Sequence, residues 1–157
     1  MPKVKLFLEP GKQELTFASE LDAPRNLVYR VYTDPALMPQ WWGPAYLTTM
    51  VEVMEVRPGG RWRVVQRAPD GGTHPFNGVY HLVKAPEKLV FTFEYEGDPE
   101  HVMLNTVTFE EKDGKTLLLE QSVFQSVADR DAMAATDMEA GARESIERLD
   151  KLIQARL

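Results

Sequence analysis

The side chain with the most distinctive setting for acid–base chemistry is Glu120. In the run from Leu117 to Phe124, Leu118, Glu120, Ser122 and Phe124 share one strand parity, and Leu117, Leu119, Gln121 and Val123 share the other. Either set can face a core. If Glu120 points inward it is a buried carboxylate that requires partners or a raised pKa, and is the best single candidate for a functional polar group. If it points outward it is an ordinary surface residue. His74, His81 and His101 are far apart on what read as sheet residues, and His74 and His81 have opposite parity. Metal ligands must converge at about 2 Å from one ion, so no metal site is expected and the histidines read as surface or hydrogen-bonded residues. The chain has no cysteine, which excludes disulfides, thiolate ligands and a thiol nucleophile. It also has no glycine-rich phosphate loop, no serine nucleophile elbow and no His-Glu-x-x-His helix, and no cofactor is expected.

The bulk properties narrow the classes of partner. A length of 157 residues with 43% hydrophobic and 27% charged residues suits one globular domain, 1–157, with a core spanning about 13–155. The net charge of −6 disfavours nucleic acid, whose phosphates call for a concentrated basic surface. The one local basic cluster is Arg57, Arg61, Arg63 and Arg67. Arg61, Arg63 and Arg67 share a parity and read as a solvated outer sheet face. The start Met1-Pro2-Lys3-Val4 lacks a signal peptide's apolar stretch, and no apolar run approaches a membrane span, so a cytoplasmic protein without membrane insertion is expected.

The elements that would position these groups follow from periodicity and punctuation. Glu14–Glu20 reads as a first strand. Asp22 as N-cap and Pro24 in the first turn then announce a helix carrying Leu27, Val28 and Val31, and Asp34-Pro35 separates it from a second short helix, Ala36–Gln40. Beyond Trp41-Trp42-Gly43-Pro44 the period becomes two, giving strands at Thr49–Val56, Arg61–Arg67, Thr73–Lys84, Leu89–Tyr95, Val102–Glu111 and Thr116–Phe124. The short, turn-rich connections predict an antiparallel meander. One long helix, Ala128–Gln154, closes the chain, with Ser126 and Asp129 resembling a capping box. Its apolar stripe of Ala135, Met138, Ala142, Ile146, Leu149 and Ile153 lies opposite Glu139, Arg143, Glu147 and Lys151, so the helix must lie along the sheet.

Two features bear on whether that core is filled. The middle of the helix presents the small residues Ala135, Gly141, Ala142 and Ser145. A helical glycine costs about 1 kcal/mol against alanine, so Gly141 signals either a close backbone or space for a ligand. One strand parity also gathers Trp62, Phe76, Tyr80, Phe91, Phe93 and Tyr95, with Arg61, Arg63, Asn77, His81, Thr92 and Glu94 on the other. That set suits both a plain aromatic core and an apolar pocket with a few placed polar groups.

Specific strings then accumulate in order: Asp34-Pro35, Gln40-Trp41-Trp42-Gly43-Pro44, Arg57-Pro58-Gly59-Gly60, Pro69-Asp70-Gly71, Gly78-Val79-Tyr80 and Pro86-Glu87-Lys88-Leu89-Val90. They continue with Arg130-Asp131-Ala132-Met133, Met138-Glu139-Ala140-Gly141 and Arg148-Leu149-Asp150. The set resembles the SRPBCC superfamily, which has the START-like helix-grip fold. Within it the chain is similar to bacterial proteins that resemble the C-terminal domain of the activator of the heat-shock-protein-90 ATPase. The resemblance covers roughly residues 13–155.

It implies an α+β helix-grip fold: a curved antiparallel sheet of about seven strands around a long C-terminal helix, with two short helices between the first and second strands. It also implies a deep cavity, which in relatives holds lipids, polyketides or other apolar molecules. The string Glu120 to Ser122 matches a Glu-His-Ser-like string on a cavity-lining strand of those relatives. Carried over by position, the ligand would touch Trp42, Trp62, Phe76, Tyr80, Phe93, Tyr95, Glu120, Met138, Ala142 and Ser145.

Three functions stand on this resemblance. The first is binding of an apolar small molecule. The second is a cyclase, aromatase or hydrolase using Glu120, with Tyr80 or Tyr95, as acid or base. The third is a co-chaperone for a heat-shock ATPase, a role weakened by the missing N-terminal domain of the activator. Small bacterial domains of this type often pair, so a homodimer is compatible with the chain, although no segment specifies it.

Overall fold

In the strands that reach the interior, one set of alternate residues is mostly apolar, and the strand pairing aligns those sets on a single face. A computed structural model, describing residues 2–157, places eight strands in one antiparallel sheet. They are β1 (Lys3–Phe7), β2 (Glu14–Leu21), β3 (Thr48–Met54), β4 (Arg61–Arg67), β5 (Thr73–Lys84), β6 (Lys88–Tyr95), β7 (Val102–Lys112) and β8 (Lys115–Val123). Their spatial order is β1-β2-β8-β7-β6-β5-β4-β3. Strands β3 to β8 form the expected meander, and β2 returns to pair with β8. The strand count is eight rather than about seven because Val4 and Leu6, alternating with lysines, add an edge strand along β2.

Register carries the functional parity. Phe17 of β2 and Val107 of β7 both stand opposite Glu120 of β8, and Leu15 and Asn105 both stand opposite Ser122. Phe17, Val107, Leu118 and Phe109 are buried, so the parity containing Glu120 is the inner one. Register shifts at Val51/Val53 and Tyr80/Leu82 interrupt the ladders and bend the strands around this face.

Helix α1 (Arg25–Thr33) follows β2, and a 3-10 turn, Met38–Gln40, replaces the second short helix expected over 36–40. Pro24 rather than Asp22 occupies the N-cap of α1, and no side chain caps it. Asp22 instead offers its backbone carbonyl to Gln154.

The expected helix 128–154 is two helices, α2 (Val127–Ala134) and α3 (Met138–Gln154). Ser126 does cap α2, its hydroxyl accepting the Asp129 N–H at 3.0 Å, while the Asp129 carboxylate reaches His101 at 3.0 Å instead of completing the box. The break falls at Ala135-Thr136-Asp137. There the Thr136 hydroxyl donates to the Met133 carbonyl and the three residues are exposed, so Ala135 lies outside the apolar stripe. The rest of that stripe is used unevenly: Ile146, Leu149 and Ile153 are fully buried against Leu21, Leu27, Val28, Val31, Phe109 and Leu118, whereas Met138 and Ala142 are partly accessible.

On the outer face, Arg63 donates to both oxygens of Glu96 at 2.8 and 2.9 Å and also to Glu52, and Asn77 donates to Glu96. The arginine hydrogen bonds hold the Glu96 carboxyl down at about 2.

Gly78 marks the tightest point of the sheet. A Cβ there would fall 1.8 Å from the Thr92 carbonyl oxygen and 2.4 Å from Trp62 Nε1, the two atoms joined by the indole's hydrogen bond at 3.1 Å. Gly78→Ala is expected to destabilise the chain by about 1–3 kcal/mol through overpacking, read as a lower urea midpoint with an unchanged m-value.

Candidate functional site

Helix α3 lies across the sheet with its two halves doing different things. The C-terminal half carries branched side chains long enough to reach the sheet. The N-terminal half carries Gly141, Ala142 and Ser145, which are not, and there a cavity of about 890 Å³ separates helix from strands. A Cβ at Gly141 would meet nothing within 4 Å. Of the two readings of this glycine, close backbone approach is therefore excluded and open space remains.

Loop 42–45 and the sheet edge hold the helix at this distance. Ser145 Oγ accepts the Gly43 N–H at 2.8 Å, Arg148 donates to the Gly43 carbonyl at 2.7 Å, and Arg143 donates to the Val4 carbonyl at 2.8 Å. Glu144 also accepts the Ala45 N–H.

Eight of the ten residues expected to touch a ligand line this cavity: Trp42, Phe76, Phe93 and Tyr95 from the loop and sheet, Glu120 from β8, and Met138, Ala142 and Ser145 from α3. Trp62 and Tyr80 do not. They wall a smaller inner chamber of about 110 Å³, which shares Trp42, Phe93 and Glu120 with the large cavity. The aromatics form an edge-to-face and tilted array, with Trp42–Phe76 centroids 5.2 Å apart and Phe76–Phe93 5.3 Å apart. The Tyr95 hydroxyl is 2.9 Å from His74 Nδ1, and His101 stands at the mouth between Asp98 and Asp129.

Glu120 faces the cavity, which settles its orientation. Tyr32, on α1, donates its hydroxyl proton to Glu120 Oε2 at 2.7 Å. Burial away from water raises the Glu120 pKa, and the Tyr32 hydrogen bond opposes that rise only in part. Burial and the adjacent carboxylate push the Tyr32 phenol well above its usual range, so Tyr32 remains a donor. The partner of Glu120 is thus Tyr32, not Tyr80 or Tyr95, for which no hydrogen bond to it exists.

Several lining residues escaped the sequence reading. Asn105 lines both spaces, and its Oδ1 has no partner among the described residues. Its signal was present, since it is the polar member of the inward parity Met103, Asn105, Val107 and Phe109, as Glu120 is of its own. Gln66 likewise interrupts the parity of Trp62 and Val64, and is 5% exposed with an unpartnered Nε2. Tyr32 had a weaker signal, its helical i,i+4 spacing from Val28.

A sequence model described as Activator of Hsp90 ATPase homolog 1-like protein matches residues 22–154, from the end of β2 through α3. The chain belongs to that family. Solved structures agree with this placement over nearly the whole chain. A protein from Rhodobacter sphaeroides is 26% identical, with a TM-score of 0.89 over 98% of this chain and 99% of its own. A protein from Arthrobacter aurescens, solved by NMR, is 26% identical, with a TM-score of 0.87 over 96% and 91%. One from Mycobacterium smegmatis is 25% identical, with a TM-score of 0.86 over 96% of each. No curated protein matches the chain at a significant level. The fold shared across the Activator of Hsp90 ATPase homolog 1-like family is the helix-grip arrangement described above, commonly a ligand-binding one. Among the described residues no helix is long and apolar enough to cross a membrane.

Two variants test the site's physics. Gly141→Ala adds a methyl group into open space and removes a helix penalty, so it should stabilise the protein by about 1 kcal/mol in urea unfolding. For Glu120 the folded chain holds its proton more tightly than the unfolded chain. Its contribution is therefore full below the ordinary carboxyl range, near about pH 4, and is lost as pH rises through the folded value. Glu120→Gln should accordingly be more stable than wild type at neutral pH, with the difference shrinking toward pH 4. An equal offset at both pH values would show that Glu120 does not titrate as a buried acid.

Proposed function

We propose that the protein binds an apolar small molecule in the cavity between the sheet and the N-terminal half of α3. The observation that carries this reading is the combination of a space of about 890 Å³ with walls of aromatic and thioether side chains and a helix face of Gly141, Ala142 and Ser145. That volume lies within the range of small-molecule sites. The wall is dominated by Phe17, Trp42, Phe76, Phe91, Phe93, Met103, Met133 and Met138. Adaptable methionines stand among rigid aromatics in this wall, a composition suited to flat or elongated hydrocarbon bodies. Lipids and aromatic polyketides are the ligand classes to try first.

A second reading rests on the Tyr32–Glu120 pair. A carboxyl group with a raised pKa, held by one oxygen and lining the cavity, is arranged as a general acid or base. In that reading the cavity binds a substrate, and Glu120→Gln abolishes turnover while leaving binding in place.

The binding proposal is tested on natively purified protein by solvent extraction and mass spectrometry, together with a thermal-shift screen of lipids and aromatic polyketides. At a hundredfold excess over Kd a ligand should add about 2.7 kcal/mol of stability, a clear rise in Tm. A molecule extracted in stoichiometric amount, or a shift confined to one chemical class, is the expected result. Protein that yields no molecule and shows no shift across the panel would overturn the proposal.

A further inference from the structure

The inner chamber is walled largely by aromatic and thioether side chains, yet one carboxylate oxygen of a residue lining it lacks a hydrogen-bond partner among the described residues. Glu120 Oε1 is free because Tyr32 engages only Oε2. Buried polar groups are ordinarily paired, and the exceptions call for an explanation. A free carboxylate oxygen at a chamber of about 110 Å³ matches a group that donates a hydrogen bond.

Charge narrows that group further. Among the described residues no lysine or arginine lines the chamber or the large cavity; the charged side chains there are Glu120 inside and Asp98 and Asp129 at the mouth, with His101 between the latter two. An anion entering head-first would lose its hydration and meet the Glu120 carboxyl with no cation to offset it.

Taking the cavity as the apolar-ligand site proposed above, we infer that the inner chamber is the subsite for a neutral hydroxyl at the buried end of the ligand, donating to Glu120 Oε1. Glu120 thereby selects alcohols and phenols and rejects carboxylates carried on the same apolar body.

Matched fluorescent probes distinguish the two. Trp41, Trp42 and Trp62 surround the chamber, so quenching of tryptophan emission by energy transfer to a bound pyrene reports occupancy. At pH 8 the wild-type protein should bind 1-pyrenemethanol about tenfold or more tightly than 1-pyrenecarboxylate, and Glu120→Gln should narrow that ratio by about threefold or more, the remainder being the anion's lost hydration. Equal affinities for the wild-type protein, or a preference that Glu120→Gln leaves unchanged, would overturn the assignment. The wild-type comparison stands without any variant. Failure of pyrene and of both derivatives to quench would overturn the apolar-ligand reading itself, and the subsite with it.

Discussion

A sheet with one apolar face must have that face covered, and a single helix covers it only where its side chains reach. In this chain α3 is the cover, and the change from Ile146, Leu149 and Ile153 to Ser145, Ala142 and Gly141 along its length sets where packing stops. A helix free to tilt would close such a gap, because interiors are close-packed and unfilled volume forfeits dispersion contacts. The bonds from Ser145 and Arg148 to Gly43, and from Arg143 to Val4, hold α3 away from the strands. The cavity is therefore a product of side-chain size on the helix together with polar clamps at its flanks. The sheet supplies the wall, and the helix sets the depth.

The same arrangement explains why a carboxylate is tolerated in the interior. Glu120 occupies a position whose cross-strand neighbours, Phe17 and Val107, are apolar and buried. In a filled core that site would demand a full set of partners or a neutral residue. Here one oxygen is satisfied by Tyr32 across the gap from α1, and the residue lines the cavity. The hydrogen bond also couples the helix that caps the packed end of the sheet to the strand that lines the open end, so α1 contributes to the site although its other inward residues serve the core.

How much of this was legible in the sequence depended on whether a feature was periodic. The strands from β3 to β8 announced themselves through alternation and turn residues, and their boundaries lie within two residues of expectation. Edge strand β1 was missed because five residues with alternating lysines carry too little apolar signal to stand apart from a tail. The break in the C-terminal helix was missed because Ala135-Thr136-Asp137 contains neither proline nor glycine and the apolar period runs across it. Its cause is local, a threonine hydroxyl bonding the preceding turn. The orientation of Glu120 was undecidable from its own strand, where both parities are apolar, and became fixed only through the pairing of β8 with β2 and β7. Asn105 is instructive in the opposite sense: one polar residue in an otherwise apolar parity is the same signal that singled out Glu120, and it applies to β7 as well.

The buried hydrophobic residues fall into three clusters rather than one. The largest joins α1, the C-terminal half of α3 and the packed end of the sheet; a second surrounds Trp62, Val64 and Tyr80; a third gathers Leu15, Phe17 and Phe124 near Met133 and Met138. A domain of this size ordinarily has one contiguous core. The cavity explains the division, because its wall draws on all three: Phe91 adjoins the first two, Trp42 likewise, and Ala142 and Met138 belong with the third. An apolar molecule seated there would touch every cluster and supply the contacts that their separation withholds. Occupancy and folding stability are consequently linked through one volume, and the residues that shape the site are the same ones that limit how well the core can pack.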